Sequence, residues 1–308
     1  MNDATHANRS LHLRNGRIVL PGSVAENASL LIRDGRIAGI LEQGESANAR
    51  SDEVIELEGA TVFPGFIDAH IHGAIGVDTM EATADDLRRV AQFLARHGVT
   101  AWLPTLVPAP AEDYRRAVRS IEQLMREQKT YPPVARALGV HYEGPFINTA
   151  QCGALRPRYF RTYAETSDID ALTSVEIDGA AHMMTVAPEI EGGIELVREL
   201  RRRGWIVAIG HTCADADTLD RACEAGAHHL THFMNAMAPL HHRSPGPIAW
   251  GLLRDEVTCD VIADGVHSDP LMLRLVLRCK TGERVSLISD AIAPTGLADG
   301  EYNVWGET

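Results

Sequence analysis

Hydrophobic and polar positions divide the chain into two textures. Over the first sixty residues they alternate with a period of two. Stretches 11–20, 29–40 and 53–62 are punctuated by the pairs Asn15-Gly16, Asp34-Gly35 and Glu58-Gly59. Such runs predict strands of a small antiparallel sheet. From about Phe63 the order becomes apolar run, polar link, amphipathic helix, many times over. Residues 83–97 predict a helix with Thr83 as its cap, Asp86 three residues on, one stripe of Leu87, Val90, Ala91 and Leu94, and Gly98 as its stop. Segments 112–125, 193–203 and 269–279 obey the same rule, the last opening on Asp269-Pro270.

Among these helices lie eight apolar runs, at 62–67, 100–104, 137–143, 183–188, 205–210, 228–232, 257–263 and 285–289. Strands that alternate with helices imply a parallel sheet, and eight such units predict a closed barrel. An open doubly wound sheet is the alternative, weakened because no G-x-G-x-x-G follows the first run. The chain therefore reads as α/β, with a small β domain over 1–60 and a TIM-like (β/α)8 barrel over 61–308.

Composition narrows what such a barrel could serve. The 308 residues carry 29 Lys+Arg against 42 Asp+Glu, a net charge of -13, with 45% hydrophobic and 23% charged residues. That balance fits a globular protein and excludes disorder, collagen and coiled coil. A surplus of carboxylates repels a phosphate backbone, so no nucleic-acid partner is expected; one local Arg can still hold a small phosphate. The five cysteines are odd in number and form no C-x-x-C pair, which suits reduced thiols and a cytoplasmic location. The first ten residues lack the basic-then-apolar order of a signal peptide. The longest apolar stretch, 59–77, is interrupted by Asp68, His70 and His72, so no membrane span is expected.

The chemistry concentrates where the predicted strands end. The first is followed by Asp68-Ala-His70-Ile-His72 and the third ends in His141-Tyr-Glu143. His211 follows the fifth, His232 closes the sixth, and Asp290 follows the eighth. Side chains two apart on a strand share a face, so His70 and His72 can point together into the barrel mouth. The C-terminal rim of such a barrel is where groups from different strands converge. Any one histidine at a strand end is most often a hydrogen-bonded or exposed residue. Four imidazoles and two carboxylates at five strand ends together describe a divalent-metal site. His97, His182, His228, His229 and His241 lack that placement and read as structural or solvent-facing.

The run P-G-F-I-D-A-H-I-H-G resembles the amidohydrolase superfamily of metal-dependent hydrolases. More narrowly, H-Y-E-G-P-F, V-A-P-E, G-H-T, T-H-F-M-N-A-M, R-S-P-G, D-G-V-H and S-D-A-I-A-P-T-G are similar to the N-acetylglucosamine-6-phosphate deacetylase family, in family order from Leu11 to Gly306. Many amidohydrolases bridge two metals with a carboxylated lysine. Here the only lysines, Lys129 and Lys280, lie beside predicted helix ends, and Glu143 matches the glutamate this family uses instead.

The resemblance implies a metal-dependent hydrolase barrel with a small N-terminal β-sandwich. It implies deacetylation of an N-acetyl amino-sugar 6-phosphate by one or two divalent ions per chain, zinc foremost, with iron or another ion as alternatives. Glu143, His211 and His232 would hold the principal ion, and His70 with His72 a second. Asp290 would accept the water proton and return it to the leaving amine. Ala154, Asn235, Ala236, Arg243 and His267 would bind the sugar phosphate, Arg243 from across a homodimer interface.

Two departures stand out. Leu155 occupies the place of a family histidine near the scissile carbonyl, and leucine can neither donate nor accept a hydrogen bond; His141 or His182 are the candidate substitutes. The chain also stops at Thr308, where family members add return strands, so an incomplete sandwich with exposed sheet edges is expected. The alternatives to deacetylation of a sugar phosphate are hydrolysis of another N-acyl substrate, or an inactive metal-binding remnant.

Overall fold

A computed structural model of the chain describes residues 10–42, 51–130, 134–170 and 172–305. The segment at Thr308 lies outside the described residues. The chain forms two compact units, Met1–Gly65 and Phe66–Thr308.

The first unit contains β1 (Ser10–Leu20), β2 (Ser23–Arg33), β3 (Arg36–Leu41), β4 (Glu53–Glu56) and β5 (Thr61–Val62). The alternating stretch 29–40 folds back at the expected turn, Asp34-Gly35, which separates β2 from β3. Both turn residues have positive φ, 50° and 70°, the conformation a two-residue hairpin needs to follow strand twist. The sheet is mixed rather than antiparallel: β2 and β3 run against their neighbours, while β4 and β5 both run parallel to β1. Strand direction depends on where the chain returns, which alternation does not encode. Ile18, Ala28 and Leu30 are buried against Leu13, Leu20, Ile32, Leu57 and Val62. These described residues supply one sheet of the expected sandwich.

The second unit begins with β6 (Phe66–Ile71) and a short hairpin, β7 (Gly73–Ala74) with β8 (Val77–Asp78). The first barrel strand is thus displaced from the expected 62–67. Pro64-Gly65 breaks that apolar run, and Val62 pairs with Ile18 of the other unit's own sheet instead. Next come α1 (Ala84–Arg96), β9 (Val99–Leu106), α2 (Ala111–Glu127), β10 (Arg136–Ala137) and β11 (Gly139–Glu143). A long link containing the short α3 (Ser167–Asp170) leads to β12 (Ala181–Val186) and α4 (Gly193–Arg202). The series closes with β13 (Ile206–Ile209), α5 (Ala216–Glu224), β14 (His229–Leu230), α6 (Gly246–Leu253), β15 (Thr258–Ile262), α7 (Pro270–Cys279) and β16 (Val285–Ile288).

Parallel ladders run β6–β9–β11–β12–β13–β14–β15–β16, with β10 also on β9. The eight barrel strands are therefore present and nearly closed. The predicted cap of α1 is observed: the Thr83 side chain accepts from the Asp86 amide and the Asp86 carboxylate accepts in return, while Leu87, Val90, Ala91 and Leu94 are buried. The main core lies between strands and helices, with Trp102, Tyr142 and Leu106 meeting helical Leu87, Ile121, Leu124 and Leu200. A smaller cluster of Leu103, Met183 and Ala208 draws only on strands and fills the barrel interior. Because the interior below is packed, polar side chains gather at the C-terminal ends.

Candidate metal centre

Each of the six expected metal and acid groups stands at a C-terminal strand end. His70 is within β6 and His72 just beyond it; Glu143 ends β11; His211, His232 and Asp290 follow β13, β14 and β16 by two residues. His211, His232 and Asp290 have φ of 49°, 30° and 49°. Left-handed backbone costs a side-chain-bearing residue about 1–3 kcal/mol and persists where surrounding contacts over-determine it. Here it turns each side chain from the strand direction into the mouth. Gly210, before His211, lacks the room for more: a Cβ would lie 2.4 Å from Thr231 Cγ2 and 2.8 Å from Thr185 Cγ2.

Glu143 is the hub. Its Oε1 lies 2.9 Å from both His211 Nε2 and His232 Nε2, which are 3.1 Å from each other. Its Oε2 lies 3.2 Å from His72 Nε2. His72 Nε2 is in turn 3.1 Å from His70 Nε2 and 3.3 Å from Asp290 Oδ1. Two overlapping sets result, His70–His72–Glu143 and Glu143–His211–His232, each with its ligand atoms within 4.8 Å of one another. All five of these side chains are buried.

The donor chemistry fits a divalent cation. His211 Nδ1 lies 2.7 Å from the Gln151 carbonyl oxygen, which can only accept, so Nδ1 carries the proton and Nε2 turns a lone pair toward Glu143. A lone pair facing a carboxylate oxygen at such range calls for a positive charge between them. The groups of the cluster also shift one another's protonation. Burial alone would raise the Glu143 carboxyl, but His70, His211 and His232 outweigh it and hold it well below its usual range. Burial likewise opposes the charge on His72, yet hydrogen bonds to Asp290 and Glu143 push its pKa up to about 10. Asp290 is lowered too, burial being overcome by His70 and His72.

A second layer of groups, not foreseen in the sequence, orients these ligands. Asp260 is fully buried; its Oδ1 accepts the His232 amide and its Oδ2 pairs with His229 Nε2 at 2.9 Å. His229, expected to be structural or solvent-facing, thus braces the strand end that carries His232. Thr231 Oγ1 meets His70 Nδ1 at 3.1 Å. Asp260 sits mid-strand without a motif around it, so only the β14–β15 register reveals its role. His141 is no substitute for the residue that Leu155 replaces. Both its nitrogens are engaged below the rim, with Ala69 O at 3.1 Å and Thr185 Oγ1 at 2.9 Å, and burial pushes its pKa well down. His182 is bound to the Val175 amide and stacks on Trp205.

A cavity of about 770 Å³ opens above the cluster. His72, Glu143, His211, His232 and Asp290 form its floor, and Ala154, Asn235, Ala236 and His267 stand on its walls. Leu155 is also on the wall, 5% exposed. Arg243 is solvent-exposed and does not line this cavity. His267 Nδ1 pairs with Asp264 Oδ2 at 2.7 Å, which fixes the orientation of the ring.

The chain is similar to known proteins over nearly its whole length. Residues 61–298 match the model of the amidohydrolase family. The N-acetylglucosamine-6-phosphate deacetylase of Bacillus subtilis is 33% identical over 301 residues, covering 97% of this chain and 75% of that protein. The N-acetylgalactosamine-6-phosphate deacetylase of Escherichia coli is 35% identical, covering 96% and 75%. The crystal structure of N-acetyl-D-glucosamine-6-phosphate deacetylase from Mycobacterium smegmatis superposes with a TM-score of 0.82 at 33% identity, over 96% of this chain and 74% of that one.

Proposed function

The chain belongs to the amidohydrolase family, in its N-acetylglucosamine-6-phosphate deacetylase branch, and from that premise we propose its reaction. It is a hydrolase of amide bonds. Its substrate is an N-acetyl amino-sugar 6-phosphate, N-acetylglucosamine 6-phosphate foremost, and its products are acetate and the free amino sugar phosphate. The observation that carries this is the convergence of four imidazoles and two carboxylates from separate strands under a sugar-sized cavity.

Glu143, His211 and His232 would hold the principal ion, with His70 and His72 able to hold a second beside the shared carboxylate. Zinc suits mixed imidazole and carboxylate donors. Such an ion supplies Lewis acidity toward the amide carbonyl and acidifies water. Asp290, ionised at neutral pH and 23% exposed toward the cavity, is the group that takes the water's proton at Oδ and passes it to the departing nitrogen. Asn235, the Ala154 and Ala236 backbone, and His267 would orient the sugar. Arg243, exposed and outside the lining of its own cavity, would reach a phosphate from a second copy, so a homodimer is part of this reading. A guanidinium suits that task because its fork donates two parallel bonds. The odd, unpaired set of five cysteines suits the reducing cytoplasm.

A second substrate reading rests on Leu155. Its buried alkyl side chain on the cavity wall supports an N-acyl group other than acetyl, on the same machinery. Incubation of the zinc-loaded protein with N-acetylglucosamine 6-phosphate, its galactosamine epimer and an N-propionyl analogue, with release of carboxylate and primary amine measured, separates the readings. Acetate from either sugar phosphate is expected. Turnover of the propionyl analogue alone would favour the second reading, and no carboxylate from any of them would overturn both.

A further inference from the structure

The barrel does not close by a ladder. β16 pairs with β15 and β6 pairs with β9, but no run of backbone bonds joins β16 to β6 among the described residues. At this seam stands Asp68, 5% exposed, two residues before His70. Its Oδ2 accepts the Ser289 hydroxyl at 2.5 Å, and its Oδ1 accepts the Ser289 amide at 3.2 Å and the His70 amide at 3.3 Å. The bonds then continue in one direction toward the site. The Asp290 amide donates to the His70 carbonyl at 2.9 Å, the Ala291 amide to Ser289 Oγ at 3.2 Å, and the His72 amide to the Ala291 carbonyl at 2.8 Å. Four of these six links run between the segment bearing His70 and His72 and the segment bearing Asp290, and the other two brace the turns on either side.

We propose that Asp68 is a positioning residue: by tying β6 to the turn after β16, its carboxylate sets where His70, His72 and Asp290 stand relative to Glu143. The argument is geometric. Asp290 has a left-handed backbone, φ 49°, and a residue so placed holds its side-chain direction only while the flanking contacts hold the backbone. Ser289, immediately before it, is fixed through both its amide and its hydroxyl by the one carboxylate. Buried neighbours of ligand and acid groups hold geometries in which a displacement near 1 Å costs about 10²-fold in rate. This inference rests on the deacetylase reading for its kinetic arm only.

The test compares wild type with Asp68→Asn, Ser289→Ala and the double variant. For each, metal content, kcat and KM with N-acetylglucosamine 6-phosphate, and the visible spectrum of the cobalt-substituted protein are measured. Asp68→Asn keeps the volume but replaces one acceptor oxygen with a donor facing the Ser289 hydroxyl. It should lower kcat about 10–100-fold with KM within about twofold and metal content unchanged, and should shift the cobalt bands. Ser289→Ala should lower kcat by roughly fivefold, and the double variant should be no slower than Asp68→Asn alone, because both changes break one linkage. An unaltered kcat and cobalt spectrum in Ser289→Ala would overturn the proposal even if Asp68→Asn failed to fold. So would additive losses, or a loss that merely follows lost metal. Should the wild type release no acetate, the deacetylase reading fails on its own, and the cobalt spectra still decide the role of Asp68.

Discussion

The two halves of the centre are held by different means. Glu143, His211 and His232 arise from β11, β13 and β14, which lie in one unbroken series of parallel ladders. His70, His72 and Asp290 face each other across the seam between β6 and β16, where side chains and single amides take the ladder's place. A laddered wall resists local displacement because each strand is fixed on both sides. A wall joined by a few side-chain bonds can be disturbed by one substitution. On the proposed reading, ion retention would belong mainly to the first half, and placement of Asp290 as the proton-handling acid mainly to the second.

The sharpest break of this comparison is to remove one carboxylate from each half. Glu143→Gln should leave little bound metal and activity near background, since both donor sets share that side chain. Asp290→Asn should keep the metal and lose about 10²–10⁴ in kcat. Metal analysis beside steady-state rates checks both, and equal metal loss in the two variants would erase the distinction.

A smaller effect is expected at Asp260, which braces the laddered half through the His232 amide and His229. Asp260→Asn should weaken metal affinity about 10–100-fold, as loss of an outer-shell partner does, with kcat at saturating metal nearly retained. Competition with a chromogenic chelator reads this directly. A kcat defect without weaker binding would place Asp260 on the other side of the comparison.

The mildest effect concerns pH. Burial opposes the charge on His72, but hydrogen bonds to Asp290 and Glu143 outweigh it and push its pKa from 6.5 up to about 10. A pKa raised on folding contributes stability that is full below the unfolded value and is lost as pH rises through the folded one. Metal-free protein should therefore lose a few degrees of thermal stability between about pH 7 and pH 10, and His72→Gln should flatten that slope. A slope unchanged in the variant would assign it elsewhere.

What could be read from the chain beforehand follows from how local each signal is. The helix at Thr83 was legible because the capping partner Asp86 is three residues away and the apolar stripe repeats every turn. The H-x-H pair and the acids at strand ends were legible because a strand's termination is written in its own residues. Asp260, His229 and the Gln151 carbonyl were not, because each acts through a register or loop closure spanning tens of residues. The expected first barrel strand began too early because the apolar run 62–67 continues across Pro64-Gly65, and only pairing shows that Val62 belongs with Ile18. The parallel sense of β4 and β5 has the same origin, as alternation reports which face is buried but not which way the strand runs.

The central claim is that residues separated by some ninety positions share one cation above the barrel. Anomalous diffraction from zinc-loaded crystals tests it most directly. The account predicts a peak about 2.0–2.2 Å from a Glu143 oxygen, His211 Nε2 and His232 Nε2 together. A fully occupied zinc bound elsewhere, with those three atoms still hydrogen-bonded to one another, would contradict it.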